Sequence, residues 1–206
     1  MDGSLRYEGD FQEGRWEGNG IYFHGNGNKK YEGPFFNNVL EGEGCVEYDE
    51  EGQCVYRGIM RGGKYHGLGY RYYPEDVLKF EGEFDKGRYT SGKEFREDGT
   101  LRYEGEYNKD RKFQGVGVFY FRGGAIKEKG AYQNGKLHGD GCEEYREGGG
   151  LRYTGGYERG KRNGQGVSYY ENGNKKYEGC FKEDKCHDDA GTEYKEDGTL
   201  HYKGAF

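Results

Sequence analysis

The sequence has very little proline, no long apolar run and an odd number of cysteines. With 2 prolines beside 42 glycines in 206 residues, it is not collagen-like. No stretch approaches the roughly 20 apolar residues of a membrane-spanning helix. The opening MDGSLRYEGD has neither the basic start nor the apolar stretch of a signal peptide. Because five cysteines do not suit a disulfide framework, we predict a soluble protein of a reducing compartment, the cytoplasm.

The charge and the aromatic content narrow the possible classes further. A formal net charge of −6 disfavours nucleic acid as a ligand, because phosphate binding depends on clustered Lys and Arg. The 34% of charged residues and the mean hydropathy of −1.26 are typical of disorder, but the 17% of aromatic residues is not. We therefore expect a fold that buries large rings over a thin surface and leaves the rest in water.

A motif of an aromatic residue, any residue and then glycine recurs through the whole sequence. Successive glycines of this motif are 23 to 25 residues apart, and Glu128 replaces the aromatic residue once. The motif glycines are Gly9, Gly33, Gly58, Gly82, Gly105, Gly130, Gly155, Gly179 and Gly204. They define repeats that start near residues 7, 31, 56, 80, 103, 128, 153 and 177, with a final half-repeat near 202. We predict one repeat array over residues 1–206.

A second landmark, Gly-x-Gly, follows most of these motif glycines by nine residues. It occurs at Gly18/Gly20, Gly42/Gly44, Gly67/Gly69, Gly115/Gly117, Gly139/Gly141 and Gly164/Gly166. The repeats that start near 80 and 177 have lost it. The octapeptide NGNKKYEG occurs at Asn26–Gly33 and again at Asn172–Gly179, six repeats apart. This spacing indicates one phase of the period rather than a pair of ligand loops.

The combined unit, Y-x-G-x-[FY]-x-x-G-x-x-x-G-x-G-x-x-x-Y-x-x-x-G, resembles the MORN repeat over residues 5–206. In some enzymes MORN repeats precede a catalytic domain, but here they take up the sequence, so we expect no enzyme. The resemblance implies a scaffold in a cytoskeletal, ciliary or membrane-junction assembly.

The residues themselves predict an all-β fold. Because side chains alternate between the faces of a strand, Tyr7, Gly9 and Phe11 point the same way, and other repeats share this pattern. Pairs such as Asn26-Gly27 favour tight turns between the strands. The expected architecture is an elongated, twisted, single-layer antiparallel β-meander of about eight MORN-type hairpins. In it, rings from neighbouring strands fill the space above bare glycines.

The sequence pattern argues against three kinds of chemical site. Phosphate-binding Gly-x-Gly loops need a following helix and a Lys-Ser/Thr or acidic partner, which this sequence lacks. His66, His138 and His187 share one repeat position, but neighbouring hairpins are about 10 Å apart, so these residues cannot share an ion. No catalytic Ser/His/Asp or Cys/His set is recognisable. We expect no catalytic residues, no cofactor and no metal.

The aromatic face is the strongest indication of function. A single layer leaves its rings partly exposed, and exposed apolar surfaces usually bind partners. We predict a groove that binds a protein partner through an elongated helical segment. Its candidate residues are Tyr31, Tyr48, Tyr56, Tyr73, Phe80, Tyr103, Phe121, Tyr145, Tyr153, Tyr170 and Tyr177. The alternative is that the rings only cover one another and the glycines.

A second hypothesis is an adaptor to anionic membranes or phosphoinositides through basic turns. Its candidate residues are Lys29, Lys30, Arg159, Lys161, Arg162, Lys175 and Lys176. Acidic residues alternate with these clusters, so we prefer the protein partner. Because the sequence starts and stops in the same half-repeat, we also expect self-association through the array ends.

Overall fold

The computed structural model describes residues 6–187 and 190–206 and divides the chain into two compact units, residues 1–99 and 100–206. Each unit is a single layer of antiparallel strands, so the predicted all-β class is confirmed. Across the described residues the only helical element is a 3₁₀ turn at Pro74–Asp76. No helix of the described part is long and apolar enough to cross a membrane.

In its described part, from residue 6 onward, the first unit contains nine strands. They are β1 (Tyr7–Gln12), β2 (Arg15–Phe23), β3 (Lys29–Phe36), β4 (Val39–Leu40), β5 (Gly42–Tyr48), β6 (Cys54–Arg61), β7 (Lys64–Tyr72), β8 (Leu78–Asp85) and β9 (Arg88–Phe95). Each full-length strand pairs with the next along the chain, and the two-residue strand β4 pairs with β3 beside β5.

The second unit, described except for residues 188 and 189, contains eleven strands. They are β10 (Leu101–Tyr107), β11 (Phe113–Tyr120), β12 (Ile126–Gln133), β13 (Lys136–Leu137), β14 (Gly139–Tyr145), β15 (Leu151–Glu158), β16 (Lys161–Tyr169), β17 (Lys175–Lys182), β18 (Lys185–Cys186), β19 (Gly191–Tyr194) and β20 (Leu200–Gly204). Their pairing is again antiparallel between neighbours, and β13 and β18 are two-residue strands like β4.

The two glycines of Gly-x-Gly have different tasks. The first lies at or beside a β-bulge and has a left-handed φ, for example 68° at Gly18 and 58° at Gly67, which a side chain would strain. The second pairs across the sheet with the motif glycines, as Gly20 does with Gly9 and Gly33. Its bare backbone forms the seat of an aromatic ring.

The motif tyrosine supplies that ring, as the sequence predicts. The ring of Tyr56 lies over Gly58 and Gly69, and a methyl group on Gly69 would overlap it. Its hydroxyl donates a hydrogen bond of 2.7 Å to the carbonyl of Ile59, three residues further along the chain. The same bond is made by Tyr7, Tyr103, Tyr153, Tyr177 and Tyr202. Each ring is thereby held flat against the strand pair.

Two further rings complete the core of a regular repeat. Tyr65, nine residues after Tyr56, stacks on it with ring centroids 3.8 Å apart. Phe84, which belongs to the next repeat, meets both rings edge to face. The geometry recurs at Tyr103, where Phe113 stacks and Tyr132 approaches edge-on. Offset and edge-to-face pairs are the favoured aromatic contacts, so each repeat packs on its neighbour through rings.

The repeats that start near 31 and 128 depart from this plan. The position opposite their motif glycine holds Cys45 or Cys142, both fully buried, because the second glycines of these repeats, Gly44 and Gly141, lie one residue earlier in the strand. The sulfur of Cys142 lies over Gly130, where other repeats place a ring. Leucines occupy the stacking position, at Leu40 and Leu137. These repeats therefore hold a thinner core.

The repeated octapeptide NGNKKYEG is a turn that fastens one repeat to the next. Asn26 and Asn28 both donate side-chain amide hydrogen bonds of 2.7 Å to the carbonyl of Glu50. In the second copy Asn172 and Asn174 bond the carbonyl of Glu196 in the same way. Both copies therefore hold a turn against the turn of the following repeat by the same pair of hydrogen bonds.

Substitution of Tyr56 by Phe tests the bond to Ile59. We expect it to lower the free energy of unfolding by about 1 kcal/mol, because the partly buried carbonyl of Ile59 loses its donor while the ring stays in place. Phe80 already holds this position without a hydroxyl. Urea unfolding measures the change, and exposed Tyr70→Phe is the control. An equal effect of both substitutions would contradict the assigned role.

Candidate partner-binding surface

Five of the predicted partner residues lie in the core. Tyr56, Phe80, Tyr103 and Tyr153 are fully buried, and Tyr177 is 3% exposed. Their rings cover the glycine backbone, so they are not available to a partner in this conformation. These five rings therefore fit the alternative that the rings only cover one another and the glycines. We do not include them in a docking surface.

Two other candidates lie on the opposite face. The hydroxyl of Tyr48 donates to Glu32 at 2.9 Å, and Glu32 alternates with Tyr31 and Gly33 on its strand. Burial and this bond raise the pKa of Tyr48 to about 12. Tyr145 donates to Glu143, two residues earlier on its own strand. The structure thus separates these tyrosines from the motif rings.

Tyr73, Phe121 and Tyr170 lie where a strand enters its turn. The hydroxyl of Tyr170 donates a hydrogen bond of 2.8 Å to the carbonyl of Tyr194, and that of Tyr73 donates one of 3.3 Å to the carbonyl of Phe95. The backbone N–H of Phe121 donates a hydrogen bond of 2.9 Å to the carbonyl of Ala125 and so closes the turn. These three residues therefore lie at turns, and they do not form one continuous surface with the buried motif rings.

The face that carries the motif rings does have an outer layer of half-buried rings. Tyr31 is its one member among the predicted residues. The others are Trp16, Tyr22, Tyr65, Tyr89, Phe113 and Phe119. Trp16 lies two residues before the first glycine of Gly-x-Gly and shares its strand parity, a signal in the sequence that could have identified this position.

A pocket of about 230 Å³ opens on this face in the first unit. Its sides are the rings of Trp16, Tyr22 and Tyr31, and Val39 stands at its rim with 39% exposure. Phe35, Leu40 and Met60 form its buried floor. The pocket exists because the side chains of Leu40 and Met60 are smaller than the aromatic rings that regular repeats place at these two positions.

The local environment raises the pKa of two tyrosine hydroxyls near this pocket. Tyr65 donates a bond of 2.6 Å to Glu47, and burial followed by this bond raises the pKa of Tyr65. Burial also raises the pKa of Tyr31, with a further contribution from Glu47. The surface therefore offers ring faces with few charges, which suits an apolar ligand.

Most of the basic residues assigned to the membrane hypothesis already have partners. Lys29, Lys161 and Lys175 form ion pairs with Glu32, Glu183 and Glu178 at 3.1, 3.4 and 2.8 Å. Lys30 and Lys176 lie over the rings of Tyr31 and Tyr170. Arg162 is bound to Glu144. Among the seven residues, Arg159 alone forms no ion pair or cation–π contact within the described part of the chain.

A larger, charged pocket of about 740 Å³ lies in the second unit. Glu144 lines it and accepts hydrogen bonds from Arg162 at 2.6 Å, Arg152 at 2.9 Å and Tyr157 at 2.9 Å. Arg162 occupies the stacking position of its repeat and lies 4.6 Å from the centre of the Tyr153 ring. Charged residues here replace the rings of a regular repeat, and Glu128 replaces the motif tyrosine itself.

The pH dependence of stability tests this cluster. Burial raises the pKa of Glu144, but the bonds and charges of Arg162, Tyr157 and Arg152 outweigh it and hold the pKa below the usual 4.5. The stabilisation is thus complete above about pH 5 and is lost as pH falls through the folded-state pKa. We expect Glu144→Gln to flatten the loss of stability between about pH 5 and pH 3 in urea unfolding. If the free energy of unfolding of the variant fell with pH as steeply as that of the parent, the role assigned to Glu144 would be contradicted.

Neither pocket holds the elements of a metal centre. No group of three or more His, Cys, Asp or Glu side chains within residues 6–187 and 190–206 is close enough to bind an ion. All five cysteines are free, and Cys45, Cys54 and Cys142 are buried.

The fold and its aromatic face define a β-hairpin repeat protein, a class that uses its surface for binding. The family profile of the MORN repeat matches residues 7–29, 56–75, 129–150, 153–175 and 177–187. The chain is therefore a MORN-repeat protein, as its sequence predicts. Repeats of this family are in general modules that bind proteins or membranes. No curated protein matches the chain significantly.

Proposed function

We propose that the protein is a non-enzymatic adaptor that binds the apolar face of a helical segment of a partner protein. The observation that carries this proposal is the apolar pocket of the first unit, bounded by Trp16, Tyr22 and Tyr31 and open at Val39. Its volume accommodates one large apolar side chain. Aromatic-walled pockets of this kind are where interfaces concentrate their binding energy.

The form of the partner follows from the backbone of the sheet. At the pocket the strands β2, β3, β5 and β6 are bonded to neighbours on both sides, so they have no free edge to offer. A segment that lies on the face of the sheet must satisfy its own backbone hydrogen bonds. A helix does so internally, whereas an extended strand does not. The occupant is therefore an amphipathic helix with an apolar side chain in the pocket.

Membranes are the less favoured partner. Binding to an anionic surface requires uncompensated Lys and Arg, and four of the seven candidate residues are bound to carboxylates. A cytoskeletal or ciliary assembly remains part of the proposal on the family resemblance, and fluorescence microscopy of the tagged chain tests it.

The sharpest test places a charge at the rim of the pocket. Val39→Glu changes an exposed residue, so the fold is retained, but a helix would then bury a carboxylate against rings. The probe is an 18-residue amphipathic helical peptide with Leu and Phe on one face, titrated by NMR into the full chain. We expect Val39→Glu to weaken its binding at least about tenfold.

Val116→Glu is the matched control, because Val116 is 70% exposed and lies in the second unit. This variant is expected to bind the peptide as the parent does. Three results would contradict the proposal: equal weakening by both substitutions, equal binding of a proline-substituted peptide that cannot form a helix, or binding of anionic vesicles but not of the peptide.

A further inference from the structure

Two basic residues that line the charged pocket of the second unit form no ion pair within the described residues. Five cations line it, and Arg152 and Arg162 are both bound to Glu144, while Lys161 pairs with Glu183. Lys136 and Arg159 form no ion pair within the described residues. They are the uncompensated positive charge of the pocket.

The backbone holds these two residues side by side. The N–H of Gly160 donates a bond of 2.9 Å to the carbonyl of Leu137, which joins the turn after Arg159 to the short strand of Lys136. A side chain on Gly160 would contact the stem of Lys136 at about 3.5 Å, so the turns touch. Arg159 stands at the tip of its hairpin with a left-handed φ of 53°. The two cations therefore share one rim.

We infer that this pocket is a second binding site, which takes a carboxylate side chain of an acidic helical segment of a partner protein. Arg159 offers a planar fork that matches a carboxylate in two parallel hydrogen bonds. Lys136 adds a second positive charge beside it. The site lies within the second unit and does not depend on the aromatic pocket of the first.

The acids of the pocket oppose additional negative charge on a ligand. Glu128, Glu144 and Asp184 line the same cavity, and Glu158 and Glu183 line the adjoining one of about 320 Å³. A doubly charged phosphate, free or on a lipid, would be repelled by these groups. A singly charged carboxylate at the rim gains from Lys136 and Arg159 and stays farther from the acids.

The test is an NMR titration of the full chain with an 18-residue helical peptide that carries Glu on one face. We expect shifts at Lys136, Arg159 and Gly160, and binding that weakens steeply with salt. The double variant Lys136→Glu/Arg159→Glu is expected to weaken binding about tenfold. Lys195→Glu/Lys203→Glu makes the same change in net charge at exposed residues outside the pocket, and it is expected to bind as the parent does.

Other probes decide between the remaining outcomes. The same peptide with Lys in place of Glu, inorganic phosphate, and vesicles of phosphatidylserine and phosphatidylcholine are titrated in parallel. Equal binding of the Lys peptide, or phosphate or vesicle binding without binding of the Glu peptide, would overturn the inference. Equal weakening by the two double variants would do the same. Val39→Glu is expected to leave this titration unchanged, which separates a failure here from a failure of the aromatic pocket.

Discussion

Substitution of Gly69 by alanine is expected to lower the free energy of unfolding of the first unit by about 3 kcal/mol. The added methyl group would overlap the ring of Tyr56, which is fully buried and held by its bond to Ile59. The ring cannot retreat, because Tyr65 stacks on it from outside and Phe84 meets its edge. Urea unfolding followed by circular dichroism measures the loss.

The control for this substitution is Gly25→Ala in the same unit. Gly25 lies in a turn, and a methyl group there would meet no atom within 4 Å. We expect a change of at most about 0.5 kcal/mol. If both alanines had the same effect, the second glycine of Gly-x-Gly would not be a seat for the ring. A further check is Tyr56→Leu/Gly69→Ala, whose combined effect should be smaller than the sum of the single effects.

Substitution of Tyr153 by alanine is the second large effect that we expect, about 3 to 5 kcal/mol in the second unit. Tyr153 is fully buried, covers Gly155 and Gly166 and meets Tyr157 and Phe181 edge to face. Its loss leaves a cavity over two glycines that have no side chains to fill it. Arg162 also loses the ring on which its guanidinium lies.

Tyr70→Ala is the matched control, because its ring is 42% exposed and lies outside the core. We expect a change of about 0.5 kcal/mol or less. A small effect at Tyr153 would show that the motif ring is not a core residue. The expected result also has a practical consequence: alanine at a motif ring such as Tyr103 reports on folding, so it cannot serve as a test of partner binding.

The regular part of the fold was readable in the sequence because its causes are local. An Asn-Gly pair needs a turn, and alternation of rings with glycines specifies one face of a strand. Repetition at a fixed period then multiplies each weak signal, so strands, turns and phase could all be placed. The seating of rings on glycines also followed, since a glycine within a strand requires something close to its backbone.

The binding surface was harder to predict because exposure is a property of packing. Tyr31 and Tyr56 occupy the same motif position, yet Tyr56 is fully buried whereas Tyr31 borders a pocket. The difference arises across the sheet, where Cys45 replaces a glycine and Leu40 replaces a stacking ring. Trp16 was missed for a related reason, because the sequence gives its parity but not the ring on which it stacks.

The sequence by itself determined the all-β class, the phase of the repeats and the role of NGNKKYEG as a turn, since each depends on contacts between near neighbours. Tertiary structure alone decided which rings are core and which are surface. It also decided that, within residues 6–187 and 190–206, Lys136 and Arg159 form no ion pair while Arg162 is bound to Glu144. Those outcomes depend on which side chains meet across neighbouring hairpins, and the identity of a single residue does not contain that information.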